Sequence, residues 1–282
     1  MDNPAPARDE KFSGEMGEYA QQLLVTYPLR EPVLRSAITS LGLPLASRGL
    51  DVGCGIGLQT MLLAAAIGPA GHVSGIDVLP EFAAYARRAA ECSGLHDRTS
   101  FQAADMNDLP FEDGAFDWAW SVDCVGYHPS DPLPPLRELQ RVVKRGGTVA
   151  ILGWSQQMLL PGYPLLEARL NATSSGYAPF RRGMKAERHF LRALHWFSAL
   201  GFCDPRAATL AGTAHAPLNE EMRVALLTML RMRWNNDSGE ITQTDWDEFL
   251  ALCNPASPRF ILDLPDYYAT FVYSMFFARV AG

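Results

Sequence analysis

The residues Gly49 to Met61, GLDVGCGIGLQTM, carry the spacing most suggestive of chemistry in this 282-residue chain. Gly53, Gly55 and Gly57 alternate, Asp51 stands two places before the first of them, and helix-compatible residues follow the last. A glycine-rich turn after a short apolar strand leaves backbone N–H groups free to cradle a nucleotide-like ligand at a helix N-terminus. The dinucleotide pattern G-x-G-x-x-G fails at its third place, where Leu58 stands and Gly57 comes one residue early. No Gly-Lys-Ser/Thr follows, so the phosphate loop of the nucleotide triphosphatases is absent too. Asp51 also opposes a pyrophosphate, because it would set two anions together. A zwitterionic amino-acid tail reverses that conflict: its ammonium suits a nearby acid, and its carboxylate suits the N–H groups of the loop. S-adenosylmethionine has such a tail. Cys54 sits where the loop needs a small residue, and is read as packing rather than as a nucleophile.

Two further acids suit the same ligand. Asp77 ends a second apolar stretch about twenty residues beyond Gly57, where a carboxylate accepts hydrogen bonds from both ribose hydroxyls. Val78 follows it. Asp105 ends a third stretch and can accept from an adenine amino group, with Met106 against the ring. A single strand-end aspartate is as well explained by a turn or a helix cap. Three at successive strand ends, one of them before a GxGxG, are not.

These residues need a particular scaffold. RGLDVGC, GHVSGIDVL, TSFQAAD, AFDWAWSVD and TVAILGWS read as strands. LQTMLLAAAIG, PEFAAYARRAAECSGL and DPLPPLRELQRVVKRGG read as helices between them, closed by Gly68, Gly94 and the Gly146–Gly147 pair. Strict alternation of strand and helix implies a doubly wound, mostly parallel α/β sheet with helices on both faces and ligands at the carboxyl ends of the strands. Apolar spacing predicts two helices between Lys11 and Leu43, a loop-rich segment from Gln156 to Met184, and a helix over ERHFLRALHWFSALGF. DPRAATLAGTA is expected as a strand and DYYATFVYSMFFARV as the last one. Between them, Pro217 to Leu264 reads as inserted helices, one capped by Asn219 and one opened by a capping-box spacing at Thr244 and Asp247.

LDVGCGIG, GIDVLPEF, AADMNDLPFEDGAFD and LQRVVKRGGTVAI together resemble the successive motifs of class I S-adenosylmethionine-dependent methyltransferases. LPFEDGAFD, Leu109 to Asp117, resembles the branch of the ubiquinone and menaquinone C-methyltransferases. The resemblance covers Gly49 to Ser155 and implies a Rossmann-like sheet of seven strands with the last one antiparallel, inserted between its neighbours. It implies Asp51, Gly53 and Gly55 at the methionine end, Asp77 and Val78 at the ribose, and Asp105 and Met106 at the adenine, with Cys54 and Gly57 completing the loop read as cofactor-binding. It places Ser121 beside the methionine moiety through its backbone. The expected organisation is an N-terminal helical lid (1–45), a cofactor-binding core (46–216, with the loop 156–186), a helical insertion over the acceptor site (217–264) and a final core strand (265–282).

Methyl transfer from a sulfonium is an in-line displacement, so orientation supplies most of the catalysis, and a base is needed only if the acceptor must lose a proton. SVDCVGYHPSDP follows the fourth strand and should lie under the reactive methyl, which makes His128, Tyr127 and Asp123 the catalytic candidates. His128 leads them because its free pKa lies near neutrality. Met222, Met229, Met232, Trp234, Trp246 and Phe249 are ordinary core at helical spacing or, as the sharper reading, the underside of a lid over an apolar or aromatic acceptor. Arg181, Arg182 and Arg188 leave an acidic acceptor open. The expectation is a methyltransferase acting on oxygen or carbon of a small molecule. Its alternatives are an N-methyltransferase of a small amine and a non-catalytic S-adenosylmethionine-binding protein, and a nicotinamide oxidoreductase is the weakest.

A formal charge of -7 disfavours nucleic acid as a partner. The five scattered cysteines offer no CxxC, so no metal or disulfide framework is expected. No apolar run reaches the ~20 residues of a membrane span, no secretory leader is read at the start, and the location expected is cytoplasmic. A homodimer is left open.

Overall fold

A computed structural model describes residues 14–127, 130–235 and 239–282. Seven strands form one sheet: β1 (Arg48–Val52), β2 (His72–Asp77), β3 (Thr99–Ala103), β4 (Phe116–Val122), β5 (Val143–Met158), β6 (Cys203–His215) and β7 (Tyr268–Arg279). Their order is β3-β2-β1-β4-β5-β7-β6. β1 to β5 pair in parallel, and β7 runs antiparallel between β5 and β6. This is the Rossmann-like sheet expected, with its last strand inserted as a hairpin partner. The order reverses between β1 and β4, and the crevice for a ligand opens outside the carboxyl ends of those two strands.

Helices α1 (Gly14–Leu41), α2 (Leu58–Ala66), α3 (Pro80–Cys92), α4 (Leu133–Val142), α5 (Pro164–Asn171), α6 (Ala193–Ala199), α7 (Glu220–Arg233) and α8 (Gln243–Cys253) surround the sheet. Alternation along the strands divides the core. Ala150, Leu152 and Trp154 of β5 pack with α1, α2, α7 and α8, whereas Val149 and Ile151 pack with α4 and α6.

The sequence expectations need correction in four places. The N-terminal segment is one helix of 28 residues, despite Pro28 and Pro32 inside it. Each proline removes a helix hydrogen bond, at about 3 kcal/mol in an exposed interior. The two stand one turn apart, and the buried stripe Leu29, Val33, Leu34, Ala37 and Ile38 holds the helix against the sheet. ERHFLRALHWFSALGF is helical only over Ala193–Ala199, preceded by two 3-10 turns. There the His189 Nδ1 accepts from the Leu191 N–H at 3.2 Å and the Trp196 indole donates to the Glu187 carbonyl at 2.7 Å, which fixes a local turn in place of a continuous helix. The cap of α8 is Thr242 with Asp245, not Thr244 with Asp247: the Thr242 hydroxyl accepts from the Asp245 N–H at 3.2 Å. The loop-rich segment also contains α5, whose buried Glu167 accepts from the N–H groups of Leu159 and Leu160. Asn219 caps α7 as expected, accepting from the Met222 N–H at 2.8 Å.

Candidate active site

The loop after β1 is bound to β2 from below, since the N–H groups of Gly53 and Cys54 both donate to the Ile76 carbonyl, at 2.9 and 2.8 Å. Gly53 has φ +74°, and a Cβ there would lie 2.4 Å from the Cys124 sulfur, so neither the conformation nor the space admits a side chain. Gly57, at φ 85°, is the N-cap residue of α2 and leaves no room beside Ala86. Gly55 differs: among the described residues a Cβ on it would have only Leu23 within 4 Å, at 3.7 Å. Its open side belongs to a cavity of about 340 Å³ lined also by Gly53, Cys54, Asp77, Asp123, Cys124 and Tyr127.

Asp77 hangs from the end of β2 into this cavity, its Oδ2 accepting from the Gly55 N–H at 2.9 Å and its Oδ1 from the Leu79 N–H at 3.1 Å. Burial raises its pKa and the backbone donors oppose that rise. A carboxylate anchored in this way still has lone pairs to offer a ribose diol. Val78 beside it is 69% exposed and is not among the residues that line the cavity. Asp105 is exposed and takes both the N–H and the side-chain amide of Asn107 on its Oδ1, each at 2.8 Å. Met106 meets the Cys124 thiol at 3.8 Å.

Asp51 and Ser121 lie behind the loop rather than in the cavity. Asp51 is buried and accepts from the Thr60 hydroxyl at 2.6 Å; desolvation pushes its pKa up to about 7 against that bond. The buried Ser121 hydroxyl donates to the Val52 carbonyl at 2.8 Å and accepts from the Val125 N–H at 3.0 Å, tying the ends of β1 and β4 together. Burial holds the Cys54 thiol well above its usual range and pushes that of Cys124 up to about 12, so both stay protonated.

Of the three catalytic candidates, His128 lies outside the described residues. Asp123 adopts a left-handed conformation, φ 50°, at the end of β4. Its Oδ1 accepts from the Trp154 N–H at 2.8 Å, and its Oδ2 accepts from Arg30 at 2.8 Å and from the Tyr273 hydroxyl at 3.0 Å. Arg30 also donates to the Tyr273 hydroxyl at 2.8 Å. Tyr127 stands edge-on to Phe190 and accepts a hydrogen bond from Arg233; burial, then the charge of Asp123, raises its pKa.

Sequence reasoning missed Arg30, Tyr273 and Arg233. Arg30 lies on the buried stripe of a helix, where an arginine against apolar neighbours at i+3 and i+4 was the available signal. Tyr273 is one of several aromatics in an alternating strand, and nothing local marks it. α1 supplies Tyr19, Leu23 and Tyr27 to the cavity wall, and α7 supplies Met229 and Met232. Met229, Trp234 and Phe249 are at the same time core residues. Among the described residues no group of histidine, cysteine and acidic side chains is placed to hold a metal ion.

Residues 50–147 match a family model described as a methyltransferase domain. The chain is 39% identical over 118 residues to a tocopherol O-methyltransferase of Arabidopsis thaliana, across 42% of this chain and 33% of that protein. It is 37% identical over 112 residues to the ajmaline N-methyltransferase of Rauvolfia serpentina, across 40% of this chain and 38% of the other. The chain thus spans about a third of the length of the curated relatives it matches. In fold it is similar to the geranyl diphosphate C-methyltransferase of Streptomyces coelicolor A3(2), at a TM-score of 0.53 and 16% identity over 97% of this chain and 86% of that one. Over residues 50–147 the chain is similar to methyltransferase domains, in line with its resemblance to class I S-adenosylmethionine-dependent methyltransferases of the quinone methyltransferase branch.

Proposed function

We propose that the protein transfers the methyl group of S-adenosylmethionine to oxygen or carbon of a small apolar or aromatic acceptor. The observation that carries this reading is the Asp77 carboxylate, hydrogen-bonded to the Gly55 N–H at the mouth of a loop whose open glycine faces the cavity. When bound, the cofactor supplies an electrophilic methyl on a sulfonium. Asp77 would hold the ribose, the loop from Gly53 to Gly57 the amino-acid end, and Asp105 with Met106 the adenine. Asp51 would act from behind the loop, as a negative or neutral group according to pH.

The remaining residues orient and exclude water. α1 and the insertion 217–264 form the lid of the proposed organisation, and Tyr19, Tyr27, Met229 and Met232 give the cavity an apolar wall. Asp123 is a positioning residue in this reading, because both its oxygens are engaged by Arg30, Tyr273 and Trp154. Tyr127, with its raised pKa, donates or stacks rather than abstracting a proton. His128 remains the proposed base for a hydroxyl acceptor. A location in the cytoplasm belongs to the same proposal; among the described residues no helix is long and apolar enough to cross a membrane.

Transfer of labelled methyl to a panel of hydroxyaromatic compounds, hydroquinones and aromatic amines tests it. The expected result is turnover on a hydroxyl or ring-carbon acceptor, with His128→Ala lowering kcat for a hydroxyl by about a hundredfold or more. Turnover confined to amines, unchanged in His128→Ala, would favour the N-methyltransferase. Tight cofactor binding with no transfer across the panel would favour the non-catalytic alternative.

A further inference from the structure

Beyond Tyr127 and Trp154 lies a second cavity of about 330 Å³. It shares Tyr127, Trp154 and Arg233 with the first, so these three stand at the junction between them. Its wall is aromatic, with Tyr177, Phe180 and Phe190 beside the shared rings, and among the described residues its lining includes Arg188 and Arg233 but no aspartate or glutamate.

Three polar groups of this wall, on Trp154, Gln157 and Asn171, are engaged with one another. Gln157 accepts from the Trp154 indole at 2.6 Å and donates to Asn171 at 2.8 Å, and Asn171 also accepts from the Trp234 indole at 3.2 Å. The features that set this wall apart are its aromatic surface and its arginines, beside Gln156 and His189. The arginines of the region differ in how their charge is met. Arg30 is paired with Asp123 at 2.8 Å, and Arg188 at the outer rim with Asp131 at 3.4 Å. Arg233 has only neutral oxygens as partners among the described residues: the Gly176 carbonyl at 2.7 Å, the Ala178 carbonyl at 3.5 Å and the Tyr127 hydroxyl. Its Nε is buried with no hydrogen-bond partner among the described residues. The residue is half-buried, and a guanidinium with no counter-ion among the described residues gains from an anion brought by a ligand.

We propose, resting on the methyltransferase reading above, that the second cavity takes the methyl acceptor, and that the acceptor is an aromatic carboxylate whose ring packs against Phe180 and Phe190 and whose carboxylate pairs with Arg233. One uncompensated guanidinium matches a single negative charge. A phosphate brings close to two and would call for a second free cation.

The test measures affinities of the S-adenosylhomocysteine-saturated protein for 6-hydroxy-2-naphthoate, its neutral carboxamide and 2-naphthyl phosphate, in wild type and in Arg233→Gln, which can still donate to the loop carbonyls. The naphthoate is expected to bind about tenfold or more tighter than the carboxamide in wild type. In Arg233→Gln the two should converge to within about twofold, with the affinity for S-adenosylhomocysteine and the melting temperature unchanged. Equal affinities in wild type, or a preference that survives in Arg233→Gln, overturns the proposal. So does tighter binding of the phosphate than of the naphthoate, or a loss of S-adenosylhomocysteine affinity in the variant, which would assign Arg233 to the cofactor. Failure of wild type to bind S-adenosylhomocysteine overturns the methyltransferase reading instead, and the acid-to-amide ratio measured without it then judges Arg233 separately.

Discussion

Asp51 and Asp77 lie at the ends of adjacent parallel strands, yet they have opposite surroundings. Asp77 is held by two backbone N–H groups at the cavity, whereas Asp51 is buried and accepts from the Thr60 hydroxyl. With its native pKa raised to about 7, Asp51 stays protonated in the folded protein at pH values where it ionises in the unfolded chain. A carboxyl shifted upward on folding favours the native state only below its native pKa, so this contribution fades as pH rises from the unfolded value near 4 through about 7, and is flat above. Asp51→Asn removes the titration. Denaturant unfolding should show the variant gaining on wild type between pH 5 and pH 8, by at least about 1 kcal/mol. A difference independent of pH would mean that Asp51 is ionised throughout. The residue types in the loop were legible in the sequence, but not which acid enters the cavity. That depends on the pleat, which turns Asp51 back toward Thr60 of α2, and no spacing rule reports it.

At the scale of elements, the cluster of Arg30, Asp123 and Tyr273 ties α1, the end of β4 and β7 to one another. Arg30 and Tyr273 are buried, so removing one partner leaves a charge without compensation. Arg30→Met should destabilise by about 3 kcal/mol, and a double-mutant cycle with Asp123→Asn should return a coupling of at least about 1 kcal/mol. Additive effects would show that the bonds do not hold α1 in place. The strands and helices from Gly49 to Ser155 were readable because each carries its own apolar period and its own glycine or proline boundary. The N-terminal helix and the segment around His189 were not. In α1, packing of a buried stripe overrides two prolines, and near His189 an imidazole capping its own turn overrides a helical period. Both are outcomes of contacts that local sequence does not encode.

At the scale of the molecule, the order β3-β2-β1-β4-β5-β7-β6 brings the loop after β1 and the acid after β2 to one edge of the sheet, beside the segment after β4. α1 and α7 pack on each other across that edge and complete the cavity wall. The residue types of the proposed cofactor end could be read from the sequence because a fixed ligand would impose fixed residue types on three strand ends. The acceptor end was not, since it is assembled from α7 and a loop far apart in the chain, and Arg233 acquires its meaning only where they meet. The central claim is that this edge binds S-adenosylmethionine through Asp77. Calorimetric titration with S-adenosylhomocysteine, with NADH as control and Asp77→Ala beside wild type, tests it most directly. The account predicts micromolar binding to wild type, none of NADH, and a loss of at least about tenfold in a variant that keeps its melting temperature. Equal affinity in Asp77→Ala, or binding of NADH in place of the sulfur ligand, would contradict it.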